Sequence, residues 1–171
     1  LVNMMMEEVL VLYGIGELGI PASTVGAIYL VAGAIDLLLQ NTILIRLVDC
    51  CDKFTLRRSA MLFDAVVLAC LPSLLRPDAP SWFRLFGLGT FGGIRTAARY
   101  IFFVTNGVAL NEASQGALSS INGWRVSVSS AMQTVAPPLG ASLYAWSATS
   151  GYSQLAFLLS SAILLLLACF A

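Results

Sequence analysis

Histidine is absent from this sequence. Its absence removes the side chain that most often shuttles protons near neutral pH and most often ligates metals, so haem, zinc and most membrane-enzyme chemistries lose their usual anchor. Charge is scarce as well. Nine basic and nine acidic residues make up 11% of the 171-residue chain, against about a quarter in an ordinary soluble domain. The net charge is zero, so neither a nucleic-acid surface nor an acidic-partner surface is implied. Cysteine is limited to Cys50, Cys51, Cys70 and Cys169. The vicinal pair Cys50-Cys51 offers two soft ligands without the further ligands a metal site needs, and free thiols on a reducing face are the plainer reading. No nucleophile–base pair or metal constellation can be assembled, which excludes an enzyme and calls for no cofactor.

What the chain has in quantity is apolar residue: 58% is hydrophobic, and the mean hydropathy is +0.87. This composition predicts an integral, multi-pass membrane protein, with the lipid bilayer as its surroundings and the plasma or vacuolar membrane as equal candidates. One membrane helix takes ~20 residues, so the length accommodates about six spans joined by short loops. They are predicted over 2–13, 21–46, 56–75, 82–106, 124–146 and 152–170. The chain starts on Leu1 without a signal-peptide layout and ends inside an apolar run at Phe170-Ala171, which reads as a fragment with an incomplete first helix.

Within the apolar runs a few polar residues stand out. Glu7 and Glu8 lie in the first span, where acids usually face a cavity or the interface. In the second span, Tyr29, Gly33, Asp36 and Gln40 form one stripe at helical spacing. Asp36, near mid-span, is either a carboxyl neutralised by protonation or a structural partner, or a proton or substrate site. Asp64 lies two turns from Arg57, which suggests a structural ion pair or an interfacial position. In the fourth span Gly89, Gly93 and Ala97 recur every four residues and would admit a neighbouring helix closely. Arg95, near mid-membrane, requires a carboxylate, backbone carbonyls or an anionic ligand, while Arg99 can reach an interface by snorkelling. A ligand role and a structural pair both stand for Arg95. The sixth span is nearly pure Leu, Ala, Phe and Ile apart from Ser160 and Ser161, and is predicted to face lipid. Loop charge is five to two in favour of the face carrying Arg46, Lys53, Arg57, Arg58 and Arg125 over that carrying Arg76 and Arg84, which puts the former face in the cytosol.

The stretch Ser127 to Ser147, SVSSAMQTVAPPLGASLYAWS, combines membrane-grade apolarity with Pro137-Pro138, Gly140 and several hydroxyls. Two consecutive prolines remove the donors that would pair with the Gln133 and Thr134 carbonyls. A helix broken at membrane depth must pack against small-residue neighbours or line a path, and a path-lining helix that bends at the prolines is the reading taken here.

Several of these segments resemble a known family. Asp52-Lys53-Phe54-Thr55-Leu56-Arg57-Arg58 resembles the cytoplasmic loop signature of the major facilitator superfamily, Asp-Arg-x-Gly-x-Arg-Arg, with Thr55 in place of the glycine. The run Ser129 to Ser147 is similar to the eleventh helix of the fungal-type drug and metabolite transporters of that superfamily: Pro137, Gly140, Trp146 and Ser147 match. Gln133 stands where an arginine is common, and Ala136 and Ala141 replace glycines, so the arginine's role does not carry over. Arg95 with Asn111, and the entry Gly19 to Gly26, resemble the tenth helix with its following loop and the start of the eighth. The resemblance covers nearly the whole chain. It implies an all-α, polytopic membrane helix bundle of about six transmembrane helices, arranged as two inverted three-helix repeats, the C-terminal half of a twelve-helix fold whose N-terminal half is missing. It also implies that the first, second, fourth and fifth spans line the path.

The expected function is secondary active transport of a small solute by alternating access, coupled to protons. Asp36 would carry a proton or neutralise a cationic group. Arg95 would hold its counter-charge or an anionic substrate. Tyr29, Gln40, Gln133 and Thr134 would line the path, and Pro137, Pro138 and Gly140 would let it gate. The alternative is a truncated, non-transporting membrane protein that functions only with its missing half.

Overall fold

The computed structural model describes residues 1–39, 42, 45–113 and 118–170; the side chains of residues 36, 39, 45, 48, 49, 113 and 118 also lie outside the described set. Among the described residues the chain is all-helical, without strands. The elements are α1 Val2–Gly16, α2 Ala22–Leu39, α3 Ile45–Cys50, α4 Lys53–Leu74, α5 Ser81–Ala113, α6 Leu118–Thr149 and α7 Leu155–Phe170.

Local chemistry explains most of the boundaries. Pro21 and Pro80, which lack a donor, sit just before α2 and α5, and their carbonyls accept the first backbone bonds of each helix. Asp52 caps α4: one carboxylate oxygen accepts from the Thr55 amide and from the Thr55 hydroxyl, both at 2.9 Å. Gly19 and Gly151 have φ of 64° and 78°, a left-handed conformation that glycine adopts without a Cβ penalty, and they reverse the chain after α1 and α6.

Three sequence expectations are corrected here. The charged segment Leu47 to Arg58 is not a loop, because α3 and the capped first turn of α4 occupy nearly all of it. The predicted connection over 107–122 is mostly helix as well: α5 runs to Ala113 and α6 starts at Leu118. Its ends are tied by a Lys53–Glu112 ion pair and by Arg125 stacked 4.3 Å from the Phe103 ring centroid. Finally, α6 stays helical through Pro137 and Pro138. The expected break is not formed: the helix continues across both prolines, with Gln133 and Thr134 exposed.

The core gathers Met6, Val9, Leu10 and Tyr13 of α1 with Val25, Ala65, Leu68, Leu71, Leu75, Leu88 and Phe157. Burial of a Leu or Phe side chain stabilises by about 1.5–3 kcal/mol, so this cluster holds α1, α4 and α7 together. The Tyr13 hydroxyl donates to the Leu75 carbonyl at 2.7 Å, and the Tyr13 ring meets Phe157 edge-on at 5.0 Å. The last turn of α1 also touches Val25 and Leu88 through Gly14 and Tyr144 through Gly16, and Arg84 donates to the Leu18 carbonyl. One end of the bundle therefore collects the C-termini of α1, α4 and α6 and the N-termini of α2, α5 and α7. The opposite end collects Lys53, Arg57, Asn106, Glu112 and Arg125. Consecutive long helices thus alternate in direction.

The pairing has an internal order. Helix α4 packs on α7 and α5, α1 on α6, and α2 on α5, with slighter contacts of α1 to α7, α2 and α5 and of α6 to α7. Exchanging α1, α2 and α4 for α5, α6 and α7 turns α1–α6 into α2–α5 and the extensive α4–α5 packing into the slighter α1–α7 contact, and leaves α4–α7 and α1–α5 unchanged; the slight α1–α2 and α6–α7 contacts do not follow this exchange. The exchanged helices run in opposite directions.

No helix among the described residues is long and apolar enough to cross a membrane. Helices α1 and α7, of 15 and 16 residues, are short. Helices α5 and α6, of 33 and 32 residues, have the length, but arginines, hydroxyls and glycines dilute their apolar character.

Candidate functional site

Arg95 sits close to halfway along α5, eleven residues from Arg84 at one end of the bundle and eleven from Asn106 at the other. At 1.5 Å per residue that is ~16 Å each way. Asp64 is similarly central on α4. The two meet: Arg95 Nε donates to Asp64 Oδ1 at 2.9 Å, with the residues only 6% and 2% exposed. Asp64 Oδ2 is buried without a hydrogen-bond partner among the described residues. Asp64 thus pairs across helices with Arg95, not along its own helix with Arg57. Arg57 lies a full two turns toward the charged end, where its Nη1 donates to Asn106 Oδ1 at 3.2 Å and its guanidinium covers Phe54.

One turn beyond Arg95, Arg99 forms an ion pair with Glu7 of α1. This pair is partly open, with side chains 31% and 42% exposed, in contrast to the sealed Arg95–Asp64 pair. Between the pairs lies a narrow recess lined by Asn3, Glu7, Tyr29, Arg95, Thr96 and Arg99, with Leu10 and Gly92 as its apolar wall. Its free volume of about 10 Å³ is roughly the room for one water molecule. The Tyr29 hydroxyl and Asn3 Oδ1 are buried there without hydrogen-bond partners among the described residues. Burying a polar group unpaired costs about 1–3 kcal/mol, so this layer holds unspent hydrogen-bonding capacity as well as four charges. The Thr96 hydroxyl is taken up by the Gly92 carbonyl at 3.0 Å.

Of the residues singled out from sequence, Tyr29 and Arg95 come together in the recess. The Asp36 side chain and Gln40 lie outside the described residues. Gln133 and Thr134 are exposed on α6 and do not reach the recess; the Thr134 hydroxyl folds back on the Ser130 carbonyl at 3.1 Å. Pro138 is exposed and Pro137 half-buried. Gly140 has a structural use: α6 crosses α1 there, and a Cβ would fall on the Met5 backbone. The Gly89, Gly93, Ala97 expectation is half corrected. Gly89 faces Ile28 of α2 and buried Gly92 approaches Leu10 of α1, while a Cβ at Gly93 would meet nothing.

The signature residues cluster at the charged end. Asp52 caps α4, Lys53 pairs with Glu112, Arg57 reaches α5 and Arg58 is exposed. Two hydrogen bonds from Thr55, the backbone amide first and the hydroxyl second, hold the Asp52 carboxyl below its ordinary range. Ser161, expected to face lipid, is buried and donates to the Ala65 carbonyl at 2.7 Å, and Ser160 is buried as well. These hydroxyls let α7 approach α4 closely.

Sequence reasoning missed Asn3, Thr96 and the Glu7–Arg99 pairing. The signals were present as helical spacing: Asn3, Glu7 and Leu10 on α1 share a stripe, as do Gly92, Arg95, Thr96 and Arg99 on α5. Among the described residues no group of His, Cys, Asp or Glu could hold a metal ion. No family model matches the chain, and no curated protein or solved structure is significantly similar to it.

Proposed function

We propose that the chain is a six-helix unit of a membrane-embedded secondary transporter, moving a small solute by alternating access with proton coupling. The observation that carries this reading is the charged layer of two ion pairs and an orphaned tyrosine in an apolar bundle, with the sealed Arg95–Asp64 pair ~16 Å from either end. Ionisable groups at that depth are costly, and midplane charges flanked by small residues are where carriers bind solute and coupling ion. The antiparallel exchange of α1, α2 and α4 with α5, α6 and α7 supports the inverted three-helix repeats expected from sequence. The dilution of α5 and α6 by polar residues suits helices that line a cavity. In this reading Arg95 and Tyr29 line the path, Asp36 and Gln40 continue it along α2, and Gln133 and Thr134 face it from α6.

Large apolar faces are open on α2, at Leu30, Val31, Ile35, Leu37 and Leu38, and on α6, at Trp124, Val126, Val135 and Leu139. They favour a second six-helix unit as the other wall, and with it the alternative that this chain alone does not transport. The test is uptake of a panel of labelled solutes by cells expressing the protein, with and without a proton gradient. Gradient-dependent uptake that Asp36→Asn abolishes at unchanged membrane abundance is expected. Extraction of the chain by alkaline carbonate, or uptake that ignores the gradient, would refute the proposal.

A further inference from the structure

We propose that the recess is a proton-linked carboxylate site, in which the carboxylate of a small organic acid takes the place of Glu7 on Arg99. The inference rests on the membrane-transport reading only for its physiological setting; the binding itself follows from the geometry. Arg95 and Arg99 lie one turn apart on α5 and flank the same recess. Their partners differ. Asp64 is sealed beneath Arg95, whereas Glu7 holds Arg99 from the open side. Glu7 is therefore the exchangeable partner. Guanidinium groups match planar carboxylates in bidentate geometry, and the unpartnered Tyr29 hydroxyl adds a neutral donor beside them.

The charge balance sets the linkage. With Glu7, Asp64, Arg95 and Arg99 all charged, the two ion pairs sum to zero, and Glu8 beside them stands outside both pairs. Protonating Glu7 releases Arg99 and leaves one net positive charge, which an entering carboxylate cancels. One anion and one proton therefore enter together. The other groups facing Glu7 are Glu8 on α1, Tyr29 from α2, and Arg95 with Asp64 behind it from α5 and α4; the adjoining parts of α6 and α7 contribute no charge.

The test is calorimetric titration of the full chain in phosphatidylcholine nanodiscs with lactate and with its uncharged analogue lactamide, in two buffers of different ionisation enthalpy. Lactate is expected to bind with uptake of about one proton, and its affinity to fall about tenfold per pH unit once Glu7 is ionised. Lactamide should not bind. Glu7→Gln should bind lactate without proton uptake and without that pH dependence. Equal binding of lactate and lactamide, lactate binding by the wild type without proton uptake, or proton uptake that survives Glu7→Gln would each overturn the site. Proton-linked binding without gradient-dependent uptake in the cell assay would uphold the site and count against the transport reading. Flux of other solutes with no lactate binding would do the reverse.

Discussion

Replacing Asp64 with leucine should be among the most damaging single changes in the chain. Arg95 is 6% exposed, and Asp64 is its only charged partner among the described residues. The geometry is a single Nε to Oδ1 bond of 2.9 Å, not a two-pronged clamp. Removing one member of a buried pair costs about 3–5 kcal/mol, because the other charge stays in a medium that cannot solvate it. For a chain of this length, a loss of that size corresponds to a fall in melting temperature of roughly 6–20 °C. The two halves of the pair are unequal. A carboxyl left alone can take up a proton and shed its charge, whereas a guanidinium cannot. Asp64→Leu should therefore cost more than Arg95→Met. The double variant, which removes both charges and leaves apolar side chains of similar bulk, should recover most of the loss. Circular-dichroism melts of all four chains in one detergent close the cycle. The reasoning fails if Asp64→Leu costs under about 1 kcal/mol, or if the double variant costs the sum of the singles.

Gly140→Ala should destabilise by about 1–3 kcal/mol, since the added Cβ would fall on the Met5 backbone and push α6 off α1. Gly93→Ala, facing open space, should be neutral or gain up to about 1 kcal/mol of helix propensity; similar melts for both would refute the close approach. At the charged end, the Asp52 cap should persist below the ordinary carboxylate range. A folded-state value held below the unfolded one, near ~3.9, means its contribution is complete above that value and lost as pH falls through the lower one. The Thr55 amide shift followed against pH reports this directly. A midpoint at or above the ordinary value, or an unchanged titration in Asp52→Asn, would be incompatible with the cap.

The helices were legible because long apolar runs bounded by Pro21, Pro80 and Gly151 leave the backbone little choice. That Arg95 needs a partner was legible from its place in such a run. Its partner was not, because the sequence displays neighbours along a helix, such as Arg57 and Asp64, and conceals those that meet across one. Glu7 and Arg99 are 92 residues apart, and nothing local links them. The proline pair misled as well. Two lost donors argue for a break in the sequence, yet α6 carries both prolines inside one continuous helix. Gly140 was picked out for bending and proved to matter for contact, since the absence of a side chain serves both purposes and only the crossing with α1 decides between them.

The Tyr13 cluster has a mechanical consequence. At that end the Leu75 carbonyl, the Tyr13 ring and Phe157 bind α1, α4 and α7 through short backbone and ring contacts. At the far end the helices are held by long, charged side chains such as Lys53 and Glu112. Any relative rotation of α1 and α4 that keeps the Tyr13 bond intact has its fulcrum there. The displacement grows along the lever toward the charged face, and the layer of Glu7, Asp64, Arg95 and Arg99 lies partway along its arm.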